Sequence, residues 1–157
     1  MPGGKLKMND AAARGSSAEI RSRLIGAWRA VSWYEKDAEN NFVFPMGKEA
    51  KGQLIYSAEG RMSAHLVSAN MEKFANADWR AATVEERAKA WLEYFGYYGA
   101  FTIDEEKQAV IHHVEGGSFP NMVGTTQVRY FRFEGERLVL NAETAWGKVQ
   151  VAWEKIS

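Results

Sequence analysis

The chain has 157 residues, enough for one domain around a single core, and its 46% apolar and 13% aromatic content supplies that core amply. Twenty basic residues balance twenty acidic ones, which removes any global pull toward phosphate backbones or anionic lipid and argues against nucleic-acid or membrane partners. There is no cysteine; disulfides and thiolate chemistry are excluded, and the composition fits a reducing cytoplasm.

In chain order, residues 1–16 are rich in Gly, Ala, Lys and Asn without periodicity and read as a flexible leader before one domain over 17–157. They hold no apolar run of the signal-sequence kind, and no segment approaches the roughly 20 apolar residues that span a bilayer. Ser17 is placed to cap a short helix running to Gly26, with Ile20, Leu24 and Ile25 near one face. "AWRAVSWYEKD" follows with the composition of a strand, then a turn at "ENN" and a short strand "FVFP". "GQLIYSAEGRMSAHLV" is a hairpin whose Gly60 suits the left-handed position of a three-residue loop. That loop opposes Tyr56 to Met62 and Leu54 to Ala64, and sends His65 to the other face. Thr83 followed by Glu86 is a capping-box signature, and Val84, Ala88, Trp91, Leu92 and Phe95 then form one helical stripe. This amphipathic helix is expected to pack on the β structure and to double as a lid. Strands resume at Tyr97–Asp104, Ala109–Gly116, Thr125–Glu134, Arg137–Glu143 and Lys148–Lys155. Short strands at even spacing, joined by tight turns, predict an all-β fold with minor helix, an antiparallel up-and-down barrel of about eight or nine strands.

Two stretches carry a resemblance. "LIGAWRAVSW" places Gly26-x-Trp28 on the first strand after a short helix, similar to the opening signature of lipocalin-type barrels. Together with "GQLIYSAEGRMSAHL", the mid-chain helix and "HHVEGGSFPNMVGTTQVRYFRFEGERLVL", it resembles the bacterial and fungal lipocalin-like domain family over roughly residues 22–155. The resemblance implies a barrel with an internal cavity for a small, mostly apolar molecule, and fixes no activity. The arginine that classically covers the tryptophan is replaced by Lys155 as the nearest candidate.

Strand parity then says which side chains meet inside. The "EGE" turn opposes Phe133 to Leu138 and Phe131 to Leu140, so Arg129 and Gln127 share the inward parity. A turn over 104–109 opposes Phe101 to His112, which sends Val110, His112 and Val114 inward and His113 outward with Ile111. On the first strand Trp28, Ala30, Ser32 and Tyr34 share a face, leaving Trp33 outward; on the last, Val149, Val151 and Trp153 do. The expected ligand-binding set is Tyr34, Tyr56, Met62, Phe101, His112, Gln127, Arg129, Phe131 and Trp153, an apolar wall with few orienting groups. A bulge near "EGG" would re-aim His113 or Glu115.

An inward arginine costs several kcal/mol in desolvation unless something pairs with it. Arg129 therefore either forms an ion pair with Glu115 or Glu143, anchors a ligand carboxylate, enolate or phenolate, or escapes to solvent. His112 is either a hydrogen-bonded core residue or an acid–base group. Adjacent histidines diverge on a strand and lack ligand spacing, so no metal is expected, and the turn glycines at "GRM" and "GGS" have no phosphate-loop context, so no cofactor is. Ser118 lacks the strand–Ser–helix setting of a nucleophile elbow. The leading expectation is binding of a small hydrophobic or aromatic molecule bearing a polar or anionic group. The alternative is a cofactor-free lyase, isomerase, cyclase or hydratase with His112 as acid–base and Arg129 and Tyr56 stabilising an oxyanion. Outward Trp33 and Ile111 are candidates for helix contacts or a homodimer surface.

Overall fold

The computed structural model describes residues 15–157; residues 1–14 of the expected leader lie outside them. Helix α1 (Ser17–Leu24) precedes strand β1 (Gly26–Lys36), a two-residue strand β2 (Phe42–Val43), and the hairpin β3 (Lys51–Tyr56) and β4 (Arg61–Val67). Helix α2 (Val84–Leu92) leads into β5 (Tyr94–Asp104), β6 (Ala109–Gly117), β7 (Thr126–Glu134), β8 (Arg137–Thr144) and β9 (Gly147–Lys155). Each strand from β3 to β9 pairs antiparallel with its successor, β1 pairs with β3, and β9 returns to pair with β1. An eight-stranded barrel closes, and β2 is the extra strand, taking over the edge of β1 beyond the reach of β3. Closure leaves the barrel strands no free edge.

The turns impose the expected registers. Gly60 sits at φ 85°, where a side chain is strained, and the loop it completes opposes Tyr56 to Met62 and Leu54 to Ala64. Phe101 faces His112 across β5–β6, and Phe131 faces Leu140 across β7–β8. The register shifts between Ala30 and Ser32, where β1 carries an extra residue against β9. Beyond it the inward residue is Trp33, which is buried and opposite Val151. This corrects the outward reading of Trp33 and the inward reading of Tyr34. A second shift, at Tyr98/Gly99, leaves Glu115 as the extra residue of β6; a Cβ on Gly99 would collide with the His113 carbonyl.

The helices also differ from expectation. Ser16, not Ser17, caps α1, in a box with Glu19, and the helix stops at Leu24. It lies across one end of the barrel. Ser17 Oγ donates to Glu105 in the β5–β6 turn at 2.7 Å, an Arg21 amine donates to the Ala58 carbonyl in the β3–β4 turn at 3.0 Å, and the Arg23 guanidinium stacks on Phe133 at 3.7 Å. Ile20 and Leu24 are buried below it. Helix α2 carries its expected Thr83–Glu86 box. It buries no residue: Val84 is 76% exposed, Trp91 52% and Leu92 66%. Its stripe does not pack on the barrel, and Phe95 belongs to β5 instead of the helix.

Lys155 does occupy the place opposite the first-strand tryptophan. Its ammonium lies 4.4 Å from the Trp28 ring centroid and donates to the carbonyls of Arg23 and Ile25 at the end of α1. The Trp28 indole N–H donates to the Leu24 carbonyl at 2.8 Å, so strand, helix end and last strand are tied together. No helix among the described residues is long and apolar enough to cross a membrane.

Candidate functional site: the hollow half of the barrel

The half of the barrel away from α1 holds a cavity of about 60 Å³. Its wall is aliphatic and aromatic, including Trp33, Leu54, Leu66, Phe95, Leu140 and Trp153, and its polar members are Tyr97, His112 and Arg129. All come from inward positions of the strands: β5 supplies Phe95 and Tyr97, β6 His112, and β7 Arg129.

At its floor stands a three-member hydrogen-bond chain. His112 is 1% exposed. Its Nε2 lies 2.6 Å from the Tyr56 hydroxyl and its Nδ1 lies 2.7 Å from the Tyr97 hydroxyl. Both tyrosines are buried, and a buried imidazole with both nitrogens partnered is held in one orientation. Burial pushes its pKa well below the usual histidine value, and the charges of Arg129 and His113 push the same way. His112 is therefore neutral at physiological pH. Burial likewise raises both phenols, that of Tyr56 strongly, and the Arg129 guanidinium draws the Tyr97 phenol back down through charge and hydrogen bonding. An imidazole that is neutral and doubly engaged is poorly placed to exchange protons with a bound molecule.

Arg129 is half-buried and lines the cavity. Its Nη1 donates to the Val128 carbonyl at 3.2 Å and, more weakly, to the Gln127 side chain at 3.5 Å. Among the described residues no carboxylate forms an ion pair with it. Glu115, one expected partner, binds Arg61 on the outer wall, and Glu143 makes no ion pair among the described residues. The structural ion pair foreseen for Arg129 is thus absent from the described residues.

The other expected site residues divide. Trp153 lines the cavity. Tyr56, Met62, Phe101 and Phe131 are buried in the packed half of the core, outside the cavity wall, although Tyr56 reaches it through His112. Gln127 supports Arg129 from beside the wall and donates to Thr125. Tyr34 stands apart, packed edge-on against Phe42 at 5.2 Å between ring centroids. His113 bonds Thr102 and His65 bonds Ser63 and Tyr94, all on the outer surface. Tyr97 was not among the expected residues. It shares the parity of Phe101 four positions later, and carrying that parity back along β5 would have found it.

Residues 25–156 match the model of the lipocalin-like domain family. The chain belongs to that family. Over 86 residues, 51% of this lipocalin-like chain and 78% of the relative, it is 34% identical to the 4'-hydroxy-3'-methoxypropiophenone carrier protein of Aspergillus oryzae. It is also similar to the crystal structure of fatty-acid-binding protein 1 of Echinococcus granulosus, at 13% identity and a TM-score of 0.42, over 87% of this chain and 99% of that one.

Proposed function

We propose that the hollow half of the barrel binds a small hydrophobic molecule, preferably aromatic, that carries one polar or anionic group, and that it carries this molecule without transforming it. The observation that supports this reading best is Arg129: a guanidinium on the wall of an apolar cavity with no carboxylate paired to it among the described residues. A cation left in that position raises the energy of the empty protein and lowers that of a complex with an acceptor or anion. The relative from Aspergillus oryzae adds support, because its name gives it an aryl ketone with hydroxyl and methoxy oxygens as cargo. Carriage is favoured over turnover because His112, the one acid–base candidate inside, is neutral and bonded at both nitrogens.

The space of about 60 Å³ is smaller than the roughly 150 Å³ that accepts a benzene ring. Loading therefore requires wall side chains near the mouth to swing outward, and burial of the ligand's apolar surface, at about 25 cal/mol per Å², drives that rearrangement. Titration of the six-tryptophan fluorescence with an aryl carboxylic acid and with its methyl ester tests the anchor. Arg129→Ala is expected to weaken the acid at least tenfold more than the ester. Equal losses for the two would reject anchoring by Arg129.

A further inference from the structure

Resting on that reading of the cavity, we infer that its wall offers hydrogen-bond donors in excess of acceptors, with the Tyr97 hydroxyl as the specificity-determining donor, so that it selects molecules presenting an unprotonated oxygen, such as an aryl ketone, over the corresponding alcohol. The chain of bonds at the cavity floor carries this. Neutral imidazole has one N–H and one lone pair, so of the two tyrosines one donates to His112 and the other accepts from it. The Tyr56 oxygen is buried and His112 is its one hydrogen-bond partner among the described residues. Were Nε2 to hold the proton, Tyr56 would accept it and leave its own O–H without an acceptor, a cost in the range of a buried unmade bond. With the proton on Nδ1, Tyr56 donates to Nε2, and Nδ1–H donates to Tyr97.

The Tyr97 proton must then go elsewhere. Arg129 cannot take it, since a guanidinium has donors alone, and Tyr97 faces the cavity. The direction Tyr56 to His112 to Tyr97 therefore ends in an O–H offered to whatever occupies the hollow. Two more donors belong to residues of the same wall: Trp33 and Trp153 line the cavity, and their indole N–H groups are buried without a partner among the described residues. Arg129, Tyr97 and the two lining tryptophans carry the polar hydrogens here, the His112 lone pair and one of the two on Tyr97 are spent within the chain, and the positive charge of Arg129 beside Tyr97 disfavours an approaching proton at the other. A ketone or carboxylate oxygen satisfies such donors. An alcohol also accepts, but brings a hydroxyl proton whose one acceptor on the wall is the remaining Tyr97 lone pair, beside the Arg129 charge.

Two measurements test this, one without any ligand. Nitrogen-15 spectra of the imidazoles, with the His112 signals assigned by their loss in His112→Gln, should show Nδ1 protonated and Nε2 as the bare nitrogen at neutral pH. The reverse tautomer would turn the chain around and overturn the inference. Propiophenone, 1-phenylpropan-1-ol and propylbenzene are then titrated into the wild type and Tyr97→Phe. The ketone should bind about tenfold more tightly than the alcohol to the wild type, and the gap should fall below about threefold in Tyr97→Phe. Equal affinities in the wild type would sink donor selection while leaving carriage of apolar molecules standing. Failure of all three to bind would remove the carrier reading and the selectivity with it, whatever the tautomer.

Discussion

The two ends of this barrel are built from the same strands to opposite purposes. Toward α1, the inward residues Trp28, Tyr56, Met62, Phe101, Phe131 and Leu138 pack into a solid core, and the helix ties two hairpin turns and the end of β7 across that end. Toward α2, the inward residues Leu54, Leu66, Leu140, Ala142, Val149 and Val151 surround open space, and the helix above buries nothing. Close packing and open space are thus segregated along one axis. One end supplies close packing, and the other tolerates two indole N–H groups without a partner and an arginine without a carboxylate, among the described residues, that close packing would not.

The sharpest way to break this contrast lies on β8, where Leu138 and Leu140 point inward two residues apart on opposite sides of the divide. Leu138→Ala should lower the unfolding free energy by about 3 kcal/mol, because a well-packed site cannot collapse around the void, and Leu140→Ala by about half as much, because its side chain already borders one. Urea denaturation reads both. Matching losses would mean the two halves are equally packed.

The junction between the halves is sensed by acid. The folded pKa of His112 lies well below its ordinary 6.5, so below pH 6.5 the unfolded chain binds a proton that the native protein refuses. The stability held by the neutral imidazole is complete above that pH and falls as the pH drops toward the folded pKa, by up to about 1.4 kcal/mol per pH unit from this group. Chemical denaturation from pH 7.5 to 5 should show this extra slope in the wild type and lose it in His112→Gln. A slope unchanged by the substitution would mean that His112 is protonated in the native state.

The smallest effect belongs to the hollow end. The Trp91 indole donates to the Ser118 carbonyl at 2.8 Å and ties α2 to the β6–β7 connection. Trp91→Ala should cost under about 1 kcal/mol, the worth of one exposed hydrogen bond, yet speed ligand release severalfold in stopped-flow displacement. Unaltered release would assign this bond to local stability alone.

Much of this was legible because tight turns transmit parity. The three-residue loop at Gly60, the 104–109 turn and "EGE" each fix which residue opposes which, and from them Arg129 and His112 follow as inward residues. Where the backbone gains a residue, parity fails without a sign in the sequence: nothing in "AWRAVSWYEK" marks a bulge, so Trp33 and Tyr34 exchange places. The missing ion pair of Arg129 was partly legible, since alternation from inward Val114 already sends Glu115 outward, where it binds Arg61. Helix α2 misled for a different reason. Its apolar stripe is real, and no sequence pattern tells whether such a stripe meets the barrel or solvent.

Val31 is the unpaired residue of the β1 bulge, and it gives the fold some slack in length. Because the strand on either side already meets its neighbours in the proper phase, deleting Val31 would straighten the strand and leave every later side chain aimed as it is now. A one-residue gap at this position in a descendant of the chain would leave the cavity wall as it is, whereas the loss of Tyr34, beyond the bulge, would exchange the faces of Glu35 and Lys36.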